Sequence, residues 1–182
     1  MCGIVGVLSN KPVSERLVDG LKRLEYRGYD SAGIAVLDDK NEIVRRRSVG
    51  KLHNLETLLK DDPIIGMIGI GHTRWATHGK ADVYNAHPHG NKHVVIVHNG
   101  IIENFSALKN ELQKKGYVFE SETDTEVVVH LLTDLLKEYE NPTLAVQKMI
   151  KRLEGAFALG IMIKKYPNYL FAARCGSPLV LG

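Results

Sequence analysis

Apolar patterns of strand length and helix length come in blocks in this chain, and that ordering constrains its fold more than any other feature. Residues 3–9 (GIVGVLS) read as a buried strand, and Val13, Leu17, Leu21 and Leu24 then share one helical face over residues 12–27, starting near Val13 with Pro12 or Ser14. Two apolar runs, 32–37 and 42–49, flank the turn Asp38-Asp39-Lys40-Asn41, a hairpin signal. A short helix is predicted over 53–60, and a glycine-containing strand over 64–72. A polar, histidine-rich stretch over 73–92 leads into a strand at 93–98. Helices are predicted over 103–115, 124–139 and 142–153, the last opened by Pro142. Strand patterns return at 156–163, 169–174 and 178–181. Strands in groups and helices in groups predict an α+β fold rather than alternating α/β.

With 182 residues the chain suits one domain, and a domain of this size needs no disulfide or metal to stabilise it. A net charge of +3 is too mild to imply a nucleic-acid or membrane partner. The dense basic run Arg45-Arg46-Arg47 is expected to be a solvated hairpin face. The two cysteines, Cys2 and Cys175, do not make a disulfide framework and suit a reducing compartment. No apolar run reaches bilayer-spanning length and the amino terminus lacks signal-peptide character, so the expected location is the cytoplasm.

Four segments hold residues with chemical potential. Removal of Met1 would leave Cys2 with a thiol and a free α-amine on one residue. The amine's pKa lies at about 7.7–8.0, so it can take the thiol proton near neutrality. The alternative is a small buried residue opening a strand. His98-Asn99-Gly100 offers an amide and a backbone N–H for an oxyanion, or else a two-residue hairpin turn, although Ile101-Ile102 leads on to helical sequence. In residues 72–79 (HTRWATHG), Arg74 presents a planar fork suited to a carboxylate, Thr77 and His78 add hydrogen bonds, and Trp75 could cover a small ligand. The alternative places Arg74 in a surface ion pair and Trp75 in the core. Asp124 falls in the first turn of a predicted helix, where Thr123 and Glu126 have capping-box spacing; it either complements the helix dipole or holds an ammonium group. Six of the eight histidines fall between His72 and His98, but without the spacing of a metal site, and no metal is expected.

Together these segments resemble the class II (N-terminal nucleophile) glutamine amidotransferases. The chain start MCGIVG carries the resemblance, with LEYRGYDSAG at 24–33, HTRWATHG at 72–79, HNGIIENF at 98–105 and SETDTE at 121–126. The last four point to the branch in which a glutaminase domain is joined to a sugar-phosphate isomerase domain that binds fructose 6-phosphate. The resemblance covers residues 1–182 as one glutaminase domain without that isomerase domain, so a fragment that releases free ammonia is expected. It implies a four-layer αββα sandwich of two mainly antiparallel sheets. It also implies L-glutamine as substrate, no cofactor, and a homodimeric full-length enzyme with this part possible as a monomer. Cys2 would be the nucleophile, and Asn99 with the Gly100 N–H the oxyanion hole. Arg74, Thr77 and His78 would hold the α-carboxylate and Asp124 the α-amine. Residues 74–81 would close over glutamine with Trp75 at the ammonia exit, and Arg27 would line the Cys2 site. While Met1 stays attached, the Cys2 nitrogen is locked in a peptide bond. A non-catalytic regulatory domain is then the alternative, and a metal-dependent hydrolase built on the histidines is another.

Overall fold

The computed structural model describes residues 2–75 and 80–182, with the backbone alone at Arg27. The described strands are β1 (Gly3–Leu8), β2 (Ser31–Leu37), β3 (Ile43–Val49), β4 (Ile68–Arg74), β5 (His89–Gly90), β6 (Val94–Gly100), β7 (Phe157–Ile163) and β8 (Leu170–Cys175). The helices are α1 (Ser14–Lys22), α2 (Leu52–Asp61), α3 (Phe105–Lys114), α4 (Thr125–Glu138) and α5 (Pro142–Ile150). Two four-stranded sheets form, in the orders β1-β4-β2-β3 and β5-β6-β7-β8, and the strand pairs within them are antiparallel. The α+β architecture of two packed sheets between helical layers matches the expectation.

Side-chain alternation accounts for the four layers. On β4, Ile68 and Ile70 face a central core with Val95 and Val97 of β6 and Met162 of β7. On β2, Ile34 and Val36 point the other way, into a second core with Leu17 and Leu21 of α1 and Leu52 and Leu55 of α2. Val94, Ile96, Leu159 and Ile161 build a third core with α3, α4 and α5. Helix α1 lies close on β4 because Gly69 and Gly71 occupy its helix-facing positions. A Cβ at Gly69 would sit 2.6 Å from a Leu17 methyl and 2.8 Å from the Ala35 carbonyl oxygen. Helix α4 is buried along nearly its whole length, as its almost unbroken apolar run Val127–Leu132 requires.

Several element boundaries depart from the sequence reading. The predicted helix over 12–27 stops at Lys22, and Glu25–Arg27 form a separate 3-10 turn ended by Gly28 at φ 74°. Residues 64–67 do not join β4. They serve the start of α1 instead, where Val13 N–H donates to the Gly66 carbonyl and the Ser14 hydroxyl to that of Ile64. The strand expected at 178–181 is not formed, and Val180 and Leu181 stand 90% and 84% exposed. The basic run is not a simple solvated face. Arg45 donates to the Pro88 carbonyl, and Arg47 to those of Ala86 and Tyr84. The two arginines thereby pin the segment leading into β5, while Arg46 turns to Asp62. Among the described residues no helix is long and apolar enough to cross a membrane.

Candidate active site

Period-two alternation brings the site together at one end of the two sheets. Cys2 continues the face of β1 that carries Ile4 into the central core. His72 and Arg74 continue the Ile68 and Ile70 face of β4, and Asn99 continues the Val95 and Val97 face of β6. Cys2, Arg74, Trp75, Asn99, Gly100 and Asp124 all line one open cavity of about 970 Å³. Its size falls in the range of small-molecule sites.

The Cys2 sulfur is half-buried and sits 3.2 Å from the Trp75 backbone N–H, which donates to it. The Asn99 side-chain Nδ2 lies 3.4 Å from the Cys2 carbonyl oxygen. Asn99 Oδ1 faces His72 Nε2 at 2.9 Å, and the same nitrogen lies 2.9 Å from the His98 carbonyl oxygen. Asn99-Gly100 is not a hairpin turn. Strand β6 runs on through Gly100, paired with Phe157. Gly100 adopts φ 120°, and a Cβ there would come within 2.0 Å of the Ala156 carbonyl oxygen, so only glycine fits.

Asp124 is buried where α4 begins. Its Oδ2 accepts from the Ile102 N–H at 2.8 Å, and its Oδ1 lies 3.7 Å from His98 Nδ1. The capping box expected there does not form. Glu126 instead accepts from the N–H groups of Glu120 and Ser121 and from the Ser121 hydroxyl. Burial would raise the Glu126 pKa, but His130 nearby and these donors outweigh it and bring it to about 2. Arg74 is 3% exposed, not a surface residue, and its Nη1 donates to the Lys80 carbonyl. Trp75 is not in the core but 52% exposed, with its ring over Gly28. Thr77 and His78 lie outside the described residues, as does the side chain of Arg27.

The burial of the histidines was not anticipated from the sequence. His72, His87, His89 and His98 are buried together, the His72 and His87 rings stacked with centroids 4.2 Å apart. Thr125 Oγ1 bridges His87 Nε2 at 2.8 Å and His98 Nδ1 at 2.9 Å, and His89 Nε2 pairs with Thr123 at 3.1 Å. Burial lowers the pKa of His72 to about 3 and holds His87 well below the ordinary value. Among the described residues no group of three or more His, Cys, Asp or Glu side chains could hold a metal ion. The available signal was strand parity, since His72 shares a face with Arg74.

Residues 77–177, more than half of the chain, match the family described as glutamine amidotransferase domain. The chain belongs to that family. This glutamine amidotransferase domain is 57% identical over 182 residues to the glutamine–fructose-6-phosphate aminotransferase (isomerizing) of Zymomonas mobilis, covering all of this chain and 30% of the relative. The protein of the same name from Bradyrhizobium diazoefficiens gives the same identity and coverage. The amidotransferase domain thus spans about 30% of the length of these curated relatives. Among solved structures, glutamine phosphoribosylpyrophosphate amidotransferase from B. subtilis superimposes with a TM-score of 0.75 at 25% identity, over 90% of this chain and 35% of that one.

Proposed function

We propose that this domain hydrolyses the side-chain amide of L-glutamine to L-glutamate and ammonia, with Cys2 as nucleophile once Met1 is removed. One observation carries the reading: the Cys2 sulfur opens on a cavity shared with the Asn99 amide, the Arg74 guanidinium and the Asp124 carboxylate. Those groups complement a ligand with a carboxylate at one point, an ammonium at another and a reactive amide between them. The α-amine of Cys2 takes the thiol proton, and sulfur attacks the amide carbon. Asn99 Nδ2 and the Gly100 N–H hold the resulting oxyanion. The C–N bond then breaks, ammonia leaves with the proton returned by the amine, and a thioester remains. Water, deprotonated by the same amine, adds to the thioester, the C–S bond breaks, and glutamate is released with the thiol restored. The Trp75 N–H pointing at sulfur supports the thiolate.

Arg74, with Thr77 and His78, is assigned the α-carboxylate, Asp124 the α-ammonium, and Trp75 the exit taken by ammonia. No cofactor enters these steps. The names of the relatives support a role in amino-sugar formation, in which ammonia passes to a sugar-phosphate isomerase domain holding fructose 6-phosphate. Release of glutamate from glutamine by protein whose intact mass shows Met1 removed tests the assignment. Cys2→Ala is expected to abolish that release, and turnover at the parent rate in that variant would remove Cys2 from the chemistry.

A further inference from the structure

We propose that His72 is a positioning residue: the proton on its Nε2 locks the Asn99 carboxamide with its NH2 toward Cys2. The inference rests on the assignment of Asn99 to the oxyanion. His72 Nε2 lies 2.9 Å from two oxygens, the His98 backbone carbonyl and Asn99 Oδ1. A backbone carbonyl can only accept, so Nε2 must carry hydrogen, whichever way the Asn99 amide is turned. With that hydrogen in place, a flipped Asn99 would set its NH2 against an N–H donor. The amide is therefore held with oxygen on His72 and nitrogen on the Cys2 side, where Nδ2 reaches the Cys2 carbonyl at 3.4 Å.

The surroundings keep this arrangement in one state. His72 is fully buried, so water does not compete for Nε2. Burial, acting more strongly than its hydrogen bonds, lowers its pKa to about 3, so the ring is neutral and holds a single proton near neutral pH. Its Nδ1 has no hydrogen-bond partner among the described residues. That suits a bare acceptor lone pair better than an orphaned buried N–H. The stacked His87 ring, 4.2 Å away, holds the plane of the imidazole.

Two measurements test this. Long-range proton–nitrogen NMR on the unaltered chain should find His72 neutral with its proton on Nε2. A proton on Nδ1 overturns the inference whatever the catalytic assignments turn out to be. Glutaminase kinetics supply the second. His72→Asn, too short to reach, should lower kcat about 10²-fold, in the range for losing an oxyanion donor, with KM for glutamine little changed. His72→Gln, whose amide nitrogen falls near the Nε2 position, should recover most of that loss. In an Asn99→Ala background, His72→Asn should cost nothing further, because His72 acts only through Asn99. Additive losses, or a Gln variant as slow as the Asn variant, overturn the positioning role. If Asn99→Ala alone leaves kcat intact while the NMR result holds, the oxyanion assignment has failed and the hydrogen-bond lock has not.

Discussion

Asp124 makes one observed contact and is assigned a second in the proposed reaction, and one substitution divides them. Its Oδ2 accepts the buried Ile102 N–H, a bond that an amide oxygen can also make. Asp124→Asn should therefore fold normally while losing the charge assigned to the substrate ammonium. A charge-assisted contact is worth about 1.5–3 kcal/mol, so KM for glutamine should rise roughly ten-fold or more. Steady-state glutaminase assays with a thermal melt as control read this directly, and an unchanged KM removes Asp124 from the pocket. Arg74→Ala should likewise act mainly on KM, since the carboxylate contact proposed for it is common to the ground and transition states. At this scale the sequence was informative about residue types but not about their settings. Cys2, Asn99, Arg74 and Asp124 could be singled out from the chain, and the fold brings them to one cavity. The burial of Arg74 and the hydrogen bond from Trp75 to sulfur could not be read there, because both depend on residues far away in sequence.

Glycines at two element contacts should respond differently to a methyl group. At Gly69 the nearest neighbour is a movable Leu17 methyl, though the Ala35 carbonyl stands just behind it. Gly69→Ala should destabilise by about 1–3 kcal/mol as α1 lifts from β4. At Gly100 the neighbour is the Ala156 carbonyl itself, 2.0 Å from the added carbon, and φ is 120°. Gly100→Ala should cost more than Gly69→Ala in urea unfolding, because the backbone leading into β7 must shift; a parental midpoint would contradict so close an approach of the two backbones. Element existence was legible wherever periodicity ran unbroken, as in the β2–β3 hairpin and α4. Capping was misread where a side chain found better partners just outside its own helix. Glu126 matched a capping box, yet Glu120 and Ser121 offer it more donors.

Across the whole molecule, buried histidines should couple stability to pH. Burial, reinforced by the nearby Arg47 and Arg45 cations against the pull of Glu126, lowers the pKa of His89 to about 3, and His72 reaches about 3 as well. In the unfolded chain these rings titrate near 6.5. Between those values the unfolded state binds more protons, so the stabilisation is complete above about pH 6.5 and falls as the pH drops toward 3. Each such histidine steepens the loss by up to about 1.4 kcal/mol per pH unit. Glu126, lowered from 4.5 to about 2, adds loss in the same direction from about pH 4.5 downward. Urea unfolding between pH 7 and 4 should show this decline, and His89→Gln should flatten it. Equal slopes in parent and variant would argue against a neutral buried His89.

The α+β grouping, the faces of the strands and the chemistry of the candidate residues follow from the sequence alone, because alternation, turn preference and side-chain reactivity act over a few residues. Tertiary structure decided which of those faces meet. Cys2 and Asn99 are 97 positions apart, and His72 lies 27 from the amide it holds. Contacts at that separation depend on the packing of both sheets, which no local pattern encodes, and only the folded chain turns four polar segments into one cavity.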